Sequence, residues 1–162
     1  MSEYLPDSHS RARTPVVVLA EDDEDTRRVY GIILRHYGFQ VEEAVDGLEA
    51  VDVVRRVRPD LVLMDVNLPA MDGHAASRTL KAHAETQSIP ILAFSADIAT
   101  TAEIPTGGNA FDGFILKPIS PLELVHRVSE YIQRRRNALH GVGEGGEGEA
   151  PHLQRGHFDV TA

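Results

Sequence analysis

The chain has 162 residues, a formal net charge of −9, and neither cysteine nor tryptophan; 42% of its residues are apolar and 25% charged, the balance of a globular domain. Zero cysteines exclude a disulfide framework and thiol chemistry and are compatible with a reducing cytoplasm, and the acidity argues against a nucleic-acid binder. No apolar run approaches membrane-spanning length, and Met1 to Arg13 lacks the apolar stretch of a signal peptide.

Residues 1–13 are polar and aperiodic and read as a flexible lead. Val16 to Ala20 is a short β-branched run, the signal of a buried strand. Val29, Ile32, Ile33 and Tyr37 recur at helical spacing, and Gly38 stops that helix. Phe39 to Ala44 predicts a second strand. Asp46 caps a helix whose apolar face includes Ala50, Val51 and Val54, with Glu49 three residues after the cap and Pro59 ending the segment. Leu61 to Met64 is a third strand, Gly73 to Ala84 a third helix with Ala76 and Leu80 facing inward, Ile89 to Phe94 a fourth strand, and Phe114 to Leu116 a fifth.

Between Ser95 and Phe114 the alternation requires a fourth helix. Ile98 to Ile104 is followed by Pro105, Gly107 and Gly108, poor helix material, so this helix is expected to be short or distorted. The final helix is the best signposted. Ser120 is its cap, Pro121 takes the first helical position, Glu123 completes a capping box, and Leu124, Val125, Val128 and Ile132 form the buried stripe. Arg134 to Arg136 close it beside the negative end of its dipole. Residues 137–162 read as a flexible tail rich in Gly and Glu. Strands alternating with helices predict one doubly wound α/β domain around a five-stranded parallel sheet.

Such sheets build their sites at the carboxyl ends of their strands. Here the first strand delivers Asp22 and Asp23, the third ends in Asp65, the fourth in Ser95, and the fifth in Lys117-Pro118. Crowded carboxylates repel one another unless a hard divalent cation neutralises them, and Mg²⁺ takes oxygen ligands together with a phosphate oxygen. A carboxylate can also act as a nucleophile that receives a phosphoryl group. Asp65, alone at its strand end, is the natural acceptor; Asp22 and Asp23 would hold the metal and Lys117 would contact the phosphoryl oxygens. Taken singly, each residue is more commonly a turn acid, a turn serine or a surface lysine. It is their joint occurrence that favours the functional reading.

Four segments resemble the receiver domains of two-component response regulators: Glu21-Asp22-Asp23-Glu24, Met64 through Gly73, Phe94-Ser95-Ala96, and Phe111 through Pro118. The similarity covers residues 14–136 and implies a flavodoxin-like strand order 2-1-3-4-5. It also implies that Asp65 is the phosphoacceptor, supplied by a sensor histidine kinase or a histidine phosphotransfer protein. Mg²⁺ (or Mn²⁺) would be ligated by Asp23, Asp65 and the Asn67 backbone carbonyl, with Asp22 acting largely through water. Ser95 would be the switch hydroxyl, Phe114 the aromatic switch, and Lys117-Pro118 a cis peptide. The output face would comprise the fourth helix, fifth strand and fifth helix. It would act in trans on an unidentified protein target, from a monomer or weak phosphorylation-dependent dimer, without DNA or membrane binding and with no output domain attached.

Two features depart from that pattern. Ala110 stands where such proteins often carry Gly, and a left-handed backbone there would cost about 1 kcal/mol. The 105–109 stretch replaces an amphipathic helix. Two other functions compete: a Mg²⁺-dependent phosphatase with an aspartyl-phosphate intermediate, and a receiver-like binding module that never takes phosphate. The phosphatase needs a second acid two residues past the nucleophile, where this chain has Asn67. His140, His152 and His157 match no metal-binding spacing.

Overall fold

Short apolar strands buried on both faces require helices on both sides of the sheet, and the computed structural model, which describes residues 13–97 and 110–141, has that arrangement. The strands are β1 (Val16–Ala20), β2 (Gln40–Ala44), β3 (Leu61–Met64), β4 (Ile91–Ser95) and β5 (Gly113–Leu116). The helices among the described residues are α1 (Glu24–His36), α2 (Gly47–Val57), α3 (Gly73–Lys81) and α4 (Pro121–His140). All strand pairs are parallel, as the sequence alternation predicts, and the order is β2-β1-β3-β4-β5, as the resemblance to receiver domains implies. The short or distorted fourth helix expected after Ser95 lies outside the described residues, as do positions 1–12 and 142–162.

Strand residues alternate between two cores. Val18, Ala20, Val62, Met64, Ile91 and Ala93 pack with Ala50, Val51 and Val54 of α2 and Ala76 and Leu80 of α3. Val17, Leu19, Leu61, Leu63, Leu92 and Phe94 pack with Tyr30 and Leu34 of α1 and Leu124, Val128 and Ile132 of α4. Register keeps the carboxyl ends level, with Ala20 opposite Met64 and Ser95 opposite Leu116.

Two helices differ from the sequence reading. In α1 the buried residues are Tyr30, Gly31 and Leu34. Val29, Ile32 and Tyr37 are exposed, and Ile33 is only partly buried. Apolar residues occur on both sides of this helix, so spacing alone does not identify the inward one. The three arginines do not end the last helix. Arg134 pairs with Glu130 one turn back, and Arg135 Nη1 donates to the Pro59 carbonyl at 3.1 Å. The helix continues past them to His140. Asp60, beside that contact, accepts from Val16 N at 2.8 Å and pairs with Arg13 at 3.1 Å, tying the start of β3 to that of β1.

The φ of Ala110 depends on residue 109, which lies outside the described residues. The non-glycine residues with positive φ among those described are Arg58 (51°) and Ala70 (64°). Ala110 is buried, and its carbonyl accepts from Ser77 Oγ at 2.5 Å.

The start of α2 lies against the loop that follows β3. A Cβ on Gly47 would stand 1.8 Å from the Met71 carbonyl oxygen. Gly47→Ala must push that loop away and is expected to lower unfolding stability by about 2 kcal/mol, read from the urea midpoint.

Candidate functional site

The loop after β1, the end of β3 and the end of β5 converge at the carboxyl edge of the sheet. β1 ends at Ala20, so Glu21 is the first residue free of the strand, and its N–H donates to the Ala44 carbonyl at 3.0 Å. Asp65 is likewise the first residue past β3, held by its N–H on the Ala20 carbonyl at 2.9 Å. Lys117 follows β5 directly, and its N–H donates to the Ser95 carbonyl at 2.8 Å. Three strands, β1, β3 and β5, therefore present three charged side chains at one edge.

The carboxylates that approach within 4.8 Å of one another are those of Glu21, Asp22 and Asp65. Asp23 is placed differently from the sequence expectation. Its carboxylate caps α1, with Oδ1 accepting from Thr26 N at 2.7 Å, and this hydrogen bond lowers its pKa. The reason is one of register. The acid that starts a helix turns its side chain onto the first free amides, and that position falls on Asp23 rather than on Glu24. Glu21, which sequence reasoning placed in the motif without giving it a role, takes up the vacated position. The signal was present, since the last apolar residue of the first strand is Ala20 and its next neighbour is Glu21.

Lys117 lies between two of these acids, with Nζ 2.5 Å from Glu21 Oε2 and 3.3 Å from Asp65 Oδ2. The other oxygens are also engaged. Asp65 Oδ1 accepts from Asn67 N at 3.0 Å, and Glu21 Oε1 accepts from Asp23 N at 3.2 Å. Burial raises the Glu21 pKa, reinforced by the Asp65 charge and opposed by the Lys117 hydrogen bond. For Lys117, burial acts to lower the pKa, but the Glu21 hydrogen bond and the charges of Asp65 and Glu21 outweigh it, and the ammonium is stabilised.

Ser95 ends β4 at the same edge, is 1% exposed, and accepts from Asp97 N at 3.1 Å through Oγ. Phe114 lies further back on β5 with its side chain 43% exposed, and its carbonyl accepts from Arg127 Nη2 at 2.8 Å. The Lys117-Pro118 peptide is cis. Behind Asp65 the packing is close, since a Cβ on Gly73 would stand 2.2 Å from the Asp65 carbonyl oxygen. The donor set is all oxygen, carries up to three negative charges and includes the exposed Asp22. It suits a hard divalent cation and offers no nitrogen or sulfur ligand for a softer one.

A family profile described as the response regulator receiver domain matches residues 17–129. The chain belongs to that family. A DNA-binding response regulator, MtrA, from Mycolicibacterium paratuberculosis is 35% identical over 118 residues, covering 73% of this chain and 51% of that protein. The chain thus spans about half the length of the first curated relatives it matches. The polar-differentiation response regulator DivK of Brucella anthropi is 30% identical over 116 residues, covering 72% of this chain and 94% of DivK.

Among solved structures, a response regulator from Chloroflexus aurantiacus has 29% identity and a TM-score of 0.68, covering 75% of this chain and all of that one. The receiver domain of a sensor histidine kinase from Pseudomonas aeruginosa, with a magnesium ion coordinated in its active-site cleft, has 29% identity and a TM-score of 0.65, covering 74% of this chain and 98% of its own. Receiver domains are signalling phosphoacceptors that take phosphate from histidine kinases and bind Mg²⁺ at an acidic pocket.

Two outcomes are expected of the isolated pocket. Because burial raises the folded-state pKa of Glu21, its contribution to stability is present at low pH and lost as pH rises through that pKa. In metal-free protein Glu21→Gln should therefore be more stable than wild type at neutral pH, and the gap in urea midpoints should close as pH falls into the ordinary carboxylate range. Asp23→Ala should speed hydrogen exchange at the Thr26 amide, which it caps, and lower the melting temperature.

Proposed function

We propose that residues 14–136 act as a phosphoacceptor module in which Asp65 receives a phosphoryl group from a histidine kinase or histidine phosphotransfer protein. The observation that carries this reading is the contact of Asp65 Oδ2 with the Lys117 ammonium, inside a group of three carboxylates within 4.8 Å. An Asp65 oxygen attacks phosphorus, the O–P bond forms as the donor's N–P bond breaks, and the departing imidazole nitrogen keeps the electron pair. Lys117, already in the pocket, stabilises the charge on the phosphoryl oxygens.

Glu21, Asp22, Asp65 and the Asn67 backbone carbonyl would hold Mg²⁺ or Mn²⁺. When bound, that ion supplies neutralisation of the phosphoryl charge. Assigning Glu21 and Asp22 as the acid pair replaces the pair Asp22 and Asp23 expected from sequence. Asp23 is left to its helix cap.

Ser95 Oγ and Phe114 form the switch of the proposal. A phosphoryl group on Asp65 adds acceptor oxygens that the Ser95 hydroxyl and Lys117 can bind in one arrangement of the loops, which shifts the population toward that arrangement. Phe114, on the edge strand and half exposed, would move inward with the hydroxyl and change the face formed by β5 and α4 for a partner protein. Turnover of phosphoesters is not expected, because the Asn67 side chain is an amide and does not serve as a general acid.

With Mg²⁺ and acetyl phosphate, intact mass should show one added phosphoryl group per chain, abolished in Asp65→Asn. Asp22→Asn should weaken Mg²⁺ binding by roughly tenfold, about 1.4 kcal/mol, measured by titration. Unmodified wild type would overturn the proposal.

A further inference from the structure

Behind Lys117 lies an aromatic pair that the phosphoacceptor reading does not use. The Lys117 ammonium sits 5.1 Å from the centroid of the Phe94 ring. Phe94 is fully buried on β4, immediately before Ser95. Tyr30 of α1 meets that ring edge-on, with centroids 4.8 Å apart and an interplanar angle of 77°. The Tyr30 hydroxyl in turn accepts from the Ile119 N–H at 3.5 Å, in the loop just past Lys117-Pro118. The chain of contacts starts at the loop that carries the lysine, passes through two rings, and returns to the lysine's charged end.

We propose that Phe94 is a positioning residue for Lys117, its ring held by Tyr30 as a floor that keeps the ammonium at Asp65. This rests on the reading of Lys117 as the group that contacts the phosphoryl oxygens. The physical need is specific. Lys117 lies closer to Glu21 than to Asp65, at 2.5 against 3.3 Å, and its long flexible stem allows many other placements. A cation ligated by the acids would weaken their hold on the ammonium by competing for the same oxygens. The face of a buried ring attracts the ammonium without being a ligand of that cation. Its pull therefore persists in the loaded pocket, when the lysine must turn from the acids to the phosphoryl group. An aliphatic residue at this position would keep the core apolar and provide no such attraction.

The test compares wild type with Phe94→Leu and with Phe94→Met, which keeps more of the ring's length, after urea unfolding has verified that each variant is folded. Three readouts are taken: Mg²⁺ affinity by titration, affinity for beryllofluoride in saturating Mg²⁺, and the chemical shift of the Lys117 Hε protons. In wild type these protons should be shifted upfield by the ring current. Both variants should move them toward the position of a free lysine. The same variants should weaken beryllofluoride binding by about five- to tenfold while Mg²⁺ affinity stays within about twofold of wild type.

Unchanged beryllofluoride affinity in either folded variant overturns the inference. So does a parallel fall in Mg²⁺ and beryllofluoride affinity, because that reports a disturbed pocket rather than a misplaced lysine. Absence of the wild-type upfield shift also overturns it, whatever the affinities. Failure of the phosphoacceptor reading itself is recognised separately, as wild type that binds Mg²⁺ but neither takes phosphate from acetyl phosphate nor binds beryllofluoride. In that case the proposed positioning role is overturned with it.

Discussion

Two carboxylates at the edge of a buried sheet repel each other strongly, and Glu21 and Asp65 are nearly as buried as the core beneath them, at 2% and 7% exposed. The Lys117 ammonium between them makes the arrangement tolerable. Removing Lys117 would leave the two buried carboxylates uncompensated, which costs more than the intact set contributes. The three partners come from the ends of β1, β3 and β5, so this interaction requires the parallel register, the crossovers that level the strand ends, and the close-packed loops behind them. The site is also incompletely neutralised, because Asp22 adds a third carboxylate to the two that Lys117 pairs with. That residual negative charge is what prepares it for a divalent ion.

The backbone around the cluster is shaped to hold it. Gly73 allows the start of α3 to lie directly on the Asp65 carbonyl, and Gly47 does the same between α2 and Met71. Both contacts converge on the loop from Asp65 to Gly73, which carries Asn67 and ends in the α3 cap, Asp72. On the opposite side, Ser77 and Lys81 of α3 secure the approach to β5, through the Ala110 carbonyl and the Asp112 carboxylate. The Lys81–Asp112 pair is 2.6 Å long and partly exposed, so its value is more in fixing geometry than in stability. The acid-bearing loop and the lysine-bearing strand are thus braced by the same helix.

The parallel sheet and its two helical layers were legible because short apolar runs ending in a polar residue, as in Leu61 to Asp65, alternate with helical segments; the strand order was legible only through the resemblance to receiver domains. The caps at Asp46 and Ser120 were legible because capping is a local event between residues three apart. The inward face of α1 was not, since Val29, Tyr30, Ile32, Ile33 and Leu34 offer apolar residues in two directions and only tertiary packing chooses Tyr30 and Leu34. The acid pair of the proposal lies one position before the pair expected from sequence for a similar reason. Glu21, Asp22 and Asp23 are chemically alike, and only the strand end and the helix start assign them different tasks. The ring of Phe94 beneath Lys117 was out of reach of any local pattern, as the two residues meet only through the pairing of β4 with β5.

The central claim is that one cation-binding hollow is formed by Glu21, Asp22 and Asp65 beside Lys117. The most direct measurement is a crystal structure of the protein with Mn²⁺, with the ion located by its anomalous scattering. The account predicts one strong site, with Asp22 and Asp65 oxygens as ligands and the Asp23 carboxylate still on the Thr26 amide. An ion bound by Asp23 without Asp22, or located away from Asp65, would contradict it.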